Sequence, residues 1–140
     1  MKTFKLVSLD IIDEKEEEIV QTPLELIDGL IVNREDEQNR WVVEAFLSKD
    51  YLPLFSSYIE DDENVMLQAV ITKKSNRPAM VLAKVIEYNE IGDHINVLFI
   101  GTLIDRKQDQ VEKMLKRLID EGYQGDELFE KFKELTAYSS

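Results

Sequence analysis

Cysteine is absent from this chain of 140 residues. That removes disulfides, thiolate metal sites, the usual iron–sulfur clusters and cysteine nucleophiles in one step, and it fits a reducing compartment. Histidine occurs once, at His94. A lone imidazole without cysteine does not make the usual zinc sets, and a serine triad would have to be built on that one residue. Of the internal serines Ser8, Ser48, Ser56, Ser57 and Ser75, none sits in a Gly-x-Ser-x-Gly setting. The five glycines, Gly29, Gly92, Gly101, Gly122 and Gly125, are scattered, so no glycine-rich loop is present to cradle a phosphate. Long apolar runs are missing too; none approaches the roughly 20 residues of a spanning helix. Met1-Lys2-Thr3-Phe4-Lys5 leads into a short apolar stretch broken by Ser8 and Asp10, unlike a signal peptide. The expectation is a soluble cytoplasmic protein without a membrane partner.

What the chain has in quantity is negative charge, net -12 at pH 7. It is unevenly spread: residues 1–64 hold 17 acidic and 6 basic side chains, residues 65–140 hold 12 and 11. An acidic surface repels phosphate backbones and anionic lipid, which argues against a nucleic-acid partner. It also disfavours close self-association at low salt, so a monomer is expected, a dimer second and a ring third.

Most of the chain reads as β. Phe4 to Ile12 is rich in β-branched and large apolar residues, but Phe4 and Leu6 share one face and Val7, Leu9 and Ile11 the other. Such a switch means a bulge near Ser8 or cover on both faces. Asp13 to Glu18 reads as an acidic turn. Leu24 to Val32 is the next candidate strand, with Asp28-Gly29 as a hairpin signal or a bend. Arg40 to Leu47 places Trp41, Val43, Ala45 and Leu47 on one face. Tyr51 to Tyr58, with Pro53, reads as a helical turn or plug between strands. Val65 to Thr72, Ala79 to Tyr88 and Ile95 to Leu103 are three strands joined by short connections, which makes them an antiparallel meander. Gly101 inside the last of these marks a bulge or a close approach of the helices that follow. Apolar residues on both faces of so short a chain point to a barrel with one wall covered.

The period then changes. Val111, Met114, Leu115, Leu118 and Ile119 fall on one helical face. Asp105 can cap the start, with Gln108 completing a capping box, and Gly122 fits the end. A second helix from about Asp126 carries Leu128, Phe129, Phe132 and Leu135. The connection Gly122-Tyr123-Gln124-Gly125 is too short to let the helices part, so they should pack as an antiparallel pair. The fold class read here is mostly β with a C-terminal α part: an antiparallel β-barrel core over 1–104 and a two-helix pair over 105–140 packed on it as one folding unit.

The opening Lys2-Thr3-Phe4-Lys5-Leu6-Val7, the stretch Met80 to Tyr88 and the passage Ile95 to Lys116 resemble the YwpF-like family of Gram-positive bacteria. The resemblance covers nearly the whole chain, through core patterns and not chemical signatures. It implies a β-barrel with an added helix pair, the barrel being similar to those of type VI secretion tube proteins of the haemolysin-coregulated class. It brings no reaction and no catalytic residues, and fold alone does not fix function.

Among chemistry-bearing residues, His94 reads as a turn residue beside Gly92-Asp93. Asp61-Asp62-Glu63-Asn64 lacks the ligand spacing and internal glycine of a calcium loop. Trp41 reads as a core or barrel-rim residue. Lys73, Lys74 and Arg77 form a basic loop on an acidic chain, a turn first and a contact for an anion or a partner second. No catalytic, cofactor-binding or metal residues are assigned. The expected function is a non-enzymatic protein acting through contacts with an unidentified protein. The alternatives are a small-ligand-binding barrel and, behind it, a carboxylate-based enzyme.

Overall fold

The computed structural model describes residues 1–104 and 107–138. Seven strands lead the chain: β1 (Lys2–Lys15), β2 (Glu18–Pro23), β3 (Asp28–Asn33), β4 (Arg40–Ser48), β5 (Asn64–Ile71), β6 (Ala79–Ile91) and β7 (His94–Ile104). A 3-10 turn (Lys49–Tyr51) and helix α1 (Leu52–Glu60) lie between β4 and β5; α2 (Gln108–Asp120) and α3 (Gly125–Tyr138) follow β7. All pairings are antiparallel. The order β1-β3-β4-β7-β6-β5 returns to β1 through a β1–β5 pairing, so six strands close a barrel and β2 is an added strand alongside β1.

Closure depends on the length of β1. Lys2–Lys5 pair with β3, Leu6–Ile12 with β5 and Asp10–Lys15 with β2. The register shifts between Leu6 and Ser8. That bulge resolves the conflict in the sequence: an extra residue flips the alternation, so Phe4, Leu6, Leu9 and Ile11 all face the barrel interior while Ile12 faces out. A second shift lies between Val85 and Glu87 in β6.

The apolar residues divide into two cores. The interior holds Leu6, Leu9, Ile11, Ile31, Val43, Ala45, Leu47, Val65, Leu67, Val81, Val85, Ile95, Val97 and Phe99. Phe55 of α1 enters from one end, fully buried, its ring edge-on to Phe99 with centroids 5.6 Å apart. Helix α1 is thus the expected plug. The second core lies outside the wall, where Ile12, Met66, Met80, Leu82 and Ile104 meet Val111, Leu115, Leu118, Ile119, Leu128, Phe129 and Phe132. Residues 64–69 of β5 are buried on both faces for this reason, the odd positions inside and the even ones turned to the helices.

Helix α2 ends as its glycine requires. Gly122 takes a φ of 103°, its N–H donates to the Ile119 carbonyl and the Tyr123 N–H to the Leu118 carbonyl, the two bonds of a Schellman cap. The α3 start is clamped to the barrel. Buried Asn64 donates its backbone N–H (2.8 Å) and Nδ2 (3.0 Å) to Asp126 Oδ1, and Nδ2 also donates to Glu130.

Several sequence expectations are corrected. Residues 13–18 do not make one turn: β1 runs to Lys15, and a two-residue turn at Glu16-Glu17, both at positive φ, leads into β2. The strand read over Leu24 to Val32 starts only at Asp28, and Gly29 lies within β3, where a Cβ would meet the Glu44 carbonyl at 2.8 Å. The close approach at Gly101 comes from β6 and not from the helices: a Cβ there would sit 2.3 Å from the Leu82 carbonyl oxygen and 2.6 Å from Ala83 Cα. Leu135 is 40% exposed and does not belong to the buried face of α3. The N-cap of α2 is Lys107, without a side-chain cap bond; Asp105 lies outside the described residues.

Leu115 is 1% exposed within the outer core. Leu115→Ala should therefore cost about 2–5 kcal/mol in urea unfolding; a negligible loss would mean that the helices are not docked through this face.

Candidate functional site

The strand pairings bring six chain segments to one end of the barrel: the starts of β1, β4 and β6 and the ends of β3, β5 and β7. Helix α1 plugs the other end. At the open mouth, Phe4 and Trp41 stack with centroids 6.3 Å apart and planes 28° from parallel. Both are half-buried, as the last inward-facing residues of β1 and β4. With Ile71, Thr72, Asn76 and Arg77 they line a shallow groove of about 420 Å³. Trp41 is thus a rim residue, one of the two positions expected for it.

The 72–78 loop that forms one lip is held by its own polar groups. The Thr72 N–H donates to the Lys5 carbonyl (2.8 Å) and the Asn76 N–H to the Lys73 carbonyl (2.9 Å). Asn76 Nδ2 donates to the Ile71 carbonyl at 2.7 Å. Thr72 adopts a φ of 70° to make the corner. The charged side chains take no part in this folding. Lys73, Lys74 and Arg77 are exposed and form no ion pair among the described residues. Arg77 lines the aromatic groove and also a neighbouring one with Pro78, Lys107, Asp109 and Glu112.

Two acidic groups at the same mouth are engaged. Glu35 pairs with the N-terminal amine (3.4 Å) and Lys2 (3.8 Å), and Asp36 with Arg40 (2.9 Å) and Arg34 (3.6 Å). The Arg40 backbone N–H and guanidinium hold the Asp36 carboxyl below its ordinary range. The plugged end is acidic, with Asp50, Glu60, Asp61, Asp62, Glu87, Glu90 and Asp93 exposed. Lys49 and Lys84 there are paired with Glu90 (3.0 Å) and Asp62 (3.3 Å). The plugged end thus carries exposed carboxylates, while the open mouth carries Lys73, Lys74 and Arg77, which form no ion pair among the described residues.

The other residues singled out in the sequence lie elsewhere. His94 opens β7 at the plugged end, its ring edge-on to Phe46 with centroids 5.0 Å apart. Asp61–Glu63 form the turn after α1, and Asn64 is the buried clamp described above. Beside them Tyr58 is raised to about 12 by burial, then by Asp13 and Glu63, and burial with Asp61, Asp126 and Asp13 nearby raises Glu63. Sequence reading found the cations of the mouth but not the groove. Phe4, Trp41, Ile71 and Arg77 are far apart in the chain, and no local signal links them.

A closed six-stranded barrel, plugged by one helix and flanked by a helix pair, with a basic and aromatic mouth, is the class of protein defined so far. The comparisons identify the family. The family model for YwpF-like proteins matches residues 2–135. "Uncharacterized protein YwpF" of Bacillus subtilis (strain 168) is 43% identical over 136 residues, covering 96% of this chain and 98% of that one. The crystal structure of a hypothetical protein from Staphylococcus aureus superposes with a TM-score of 0.70 at 28% identity, covering 100% of this chain and 96% of that one. The chain belongs to the YwpF-like family.

Tyr58 supplies a pH test. Its folded pKa of about 12 exceeds the ordinary 10, so the stability it contributes is full below pH 10 and lost as pH climbs towards 12. Phenolate absorbance should show one tyrosine ionising near pH 12, and Tyr58→Phe should abolish that step. A step that persists in the variant would contradict the assignment.

Proposed function

We propose that this protein is a non-catalytic cytoplasmic barrel that works through contacts with another polypeptide. The filled interior carries this reading. Phe55 and Phe99 are fully buried and in contact, and Ile31, Val43, Leu47, Leu67 and Val97 are at 0% exposure around them. A barrel of few strands packed with side chains has no room for a drug-sized ligand. Recognition then falls to the outer surface, and the open mouth offers a concave, chemically mixed part of it. The acidic surface elsewhere argues against nucleic acid and anionic membrane as targets.

The protein alone is proposed to be a monomer. The likeness of the barrel to type VI secretion tube proteins would suggest a ring. Rings of such proteins join barrel edges, whereas here the β1–β5 pairing closes the sheet and α2 and α3 cover part of its wall. The charge of -12 opposes close self-association at low salt.

The test is affinity capture on the immobilised full-length chain at physiological salt, with native mass spectrometry of what is retained. A polypeptide that then co-elutes with the chain at fixed stoichiometry is the expected result. A retained small molecule without a polypeptide, or turnover of a substrate, would overturn the reading.

A further inference from the structure

The open mouth combines a half-buried aromatic stack, the apolar side chain of Ile71 and three exposed cations that form no ion pair among the described residues. We propose that this mouth is a docking site for an acidic peptide segment of a partner, carrying an aromatic or aliphatic side chain next to its carboxylates. The apolar side chain lies along Phe4, Trp41 and Ile71, and the carboxylates meet Arg77 in the groove and the exposed Lys73 and Lys74 of the adjoining loop. This assignment rests on the reading that the protein acts through polypeptide contacts.

Each part of the ligand follows from a feature of the site. The stacked rings of Phe4 and Trp41 offer a rigid apolar face at low entropic cost, the kind of surface that anchors interface hot spots. Arg77 borders that face, and its planar guanidinium can take a carboxylate with two parallel hydrogen bonds. The lip is already folded by backbone and Asn76 hydrogen bonds, so little ordering is needed on binding. Charge complementarity selects the sign. Glu35 and Asp36 are paired with Met1, Lys2, Arg34 and Arg40, and among the described residues no ion pair at Lys73, Lys74 or Arg77 would have to be displaced by an incoming carboxylate. The acidic far end adds orientation, since it repels the same peptide. The shape selects size. A shallow groove does not enclose a small ligand on most of its surface, as small-molecule sites do, whereas an extended segment needs support on one side only.

Trp41 is the single tryptophan of the chain, so its fluorescence reports this mouth and nothing else. The probe is a synthetic tryptophan-free peptide of alternating glutamate and leucine, titrated into the full-length protein. The expected result is a saturable change in Trp41 emission that weakens steeply with added salt. Arg77→Glu, and separately the pair Lys73→Glu with Lys74→Glu, should each weaken binding at least about tenfold. These side chains are exposed and form no ion pair among the described residues, so both variants should keep the wild-type melting temperature. A peptide with lysine in place of glutamate should give no change.

No change in emission with the acidic peptide, or equal binding to wild type and to both variants, would overturn the proposal. Equal affinity for phenylacetate and for the peptide would overturn it in favour of a small organic anion. The two readings separate cleanly. If the Arg77→Glu protein still captures the polypeptide that wild type captures, the contact function stands and the mouth is not its site.

Discussion

The β1–β5 pairing is the constraint on which the rest of this molecule depends. Without it the six strands would be an open sheet with two long edges, and an interior lined by Leu6, Leu9, Leu67 and Ala69 would face water at the seam. The bulge between Leu6 and Ser8 makes the closure possible. It bends β1 so that its first third pairs with β3 and its middle with β5, and it keeps apolar residues pointing inward on both sides of the bend. Because the seam is closed, α1 need only plug one end, and α2 and α3 can be committed to the outer wall.

That division of labour accounts for the character of the two ends. The plugged end receives α1 and the turn after it, and with them a cluster of carboxylates. The open end receives the 72–78 loop, whose conformation is fixed by backbone bonds and by Asn76, with Lys73, Lys74 and Arg77 in no ion pair among the described residues. Trp41 and Phe4 sit there because an inward alternation that begins at the mouth must start with partly exposed residues, and large rings fill a tapering rim. A chain of net charge -12 thus presents a concave, partly apolar surface beside cations that form no ion pair among the described residues.

Much of this was legible in the sequence, for identifiable reasons. The meander of β5, β6 and β7, the face of β4 and the face of α2 follow from clean periods of 2 and 3.6. The conflict within Phe4 to Ile12 left a bulge near Ser8 or cover on both faces open, and the register shift between Leu6 and Ser8 is the bulge. Strand β2 was missed because Glu18–Pro23 is mostly exposed and pairs along one edge with β1, so it carries little apolar pattern. Glu16-Glu17 hid the hairpin, since the positive φ of both residues usually calls for asparagine or glycine. The partner of Gly101 could not be guessed, because the register that sets it against Ala83 is a tertiary property. The mouth was half legible: Lys73, Lys74 and Arg77 stood out by charge, while their apolar neighbours are supplied by pairings across the whole barrel.

Amide hydrogen exchange followed residue by residue shows whether the barrel is closed around a filled interior. If the β1–β5 seam is part of the global structure, the hydrogen-bonded amides of Leu9–Ile12 and Val65–Ala69 exchange only through global unfolding, as slowly as those of Val97 and Phe99 in β7. Exchange of the seam through a separate low-energy opening, with β7 still protected, would contradict the account and expose the interior as a gated cavity.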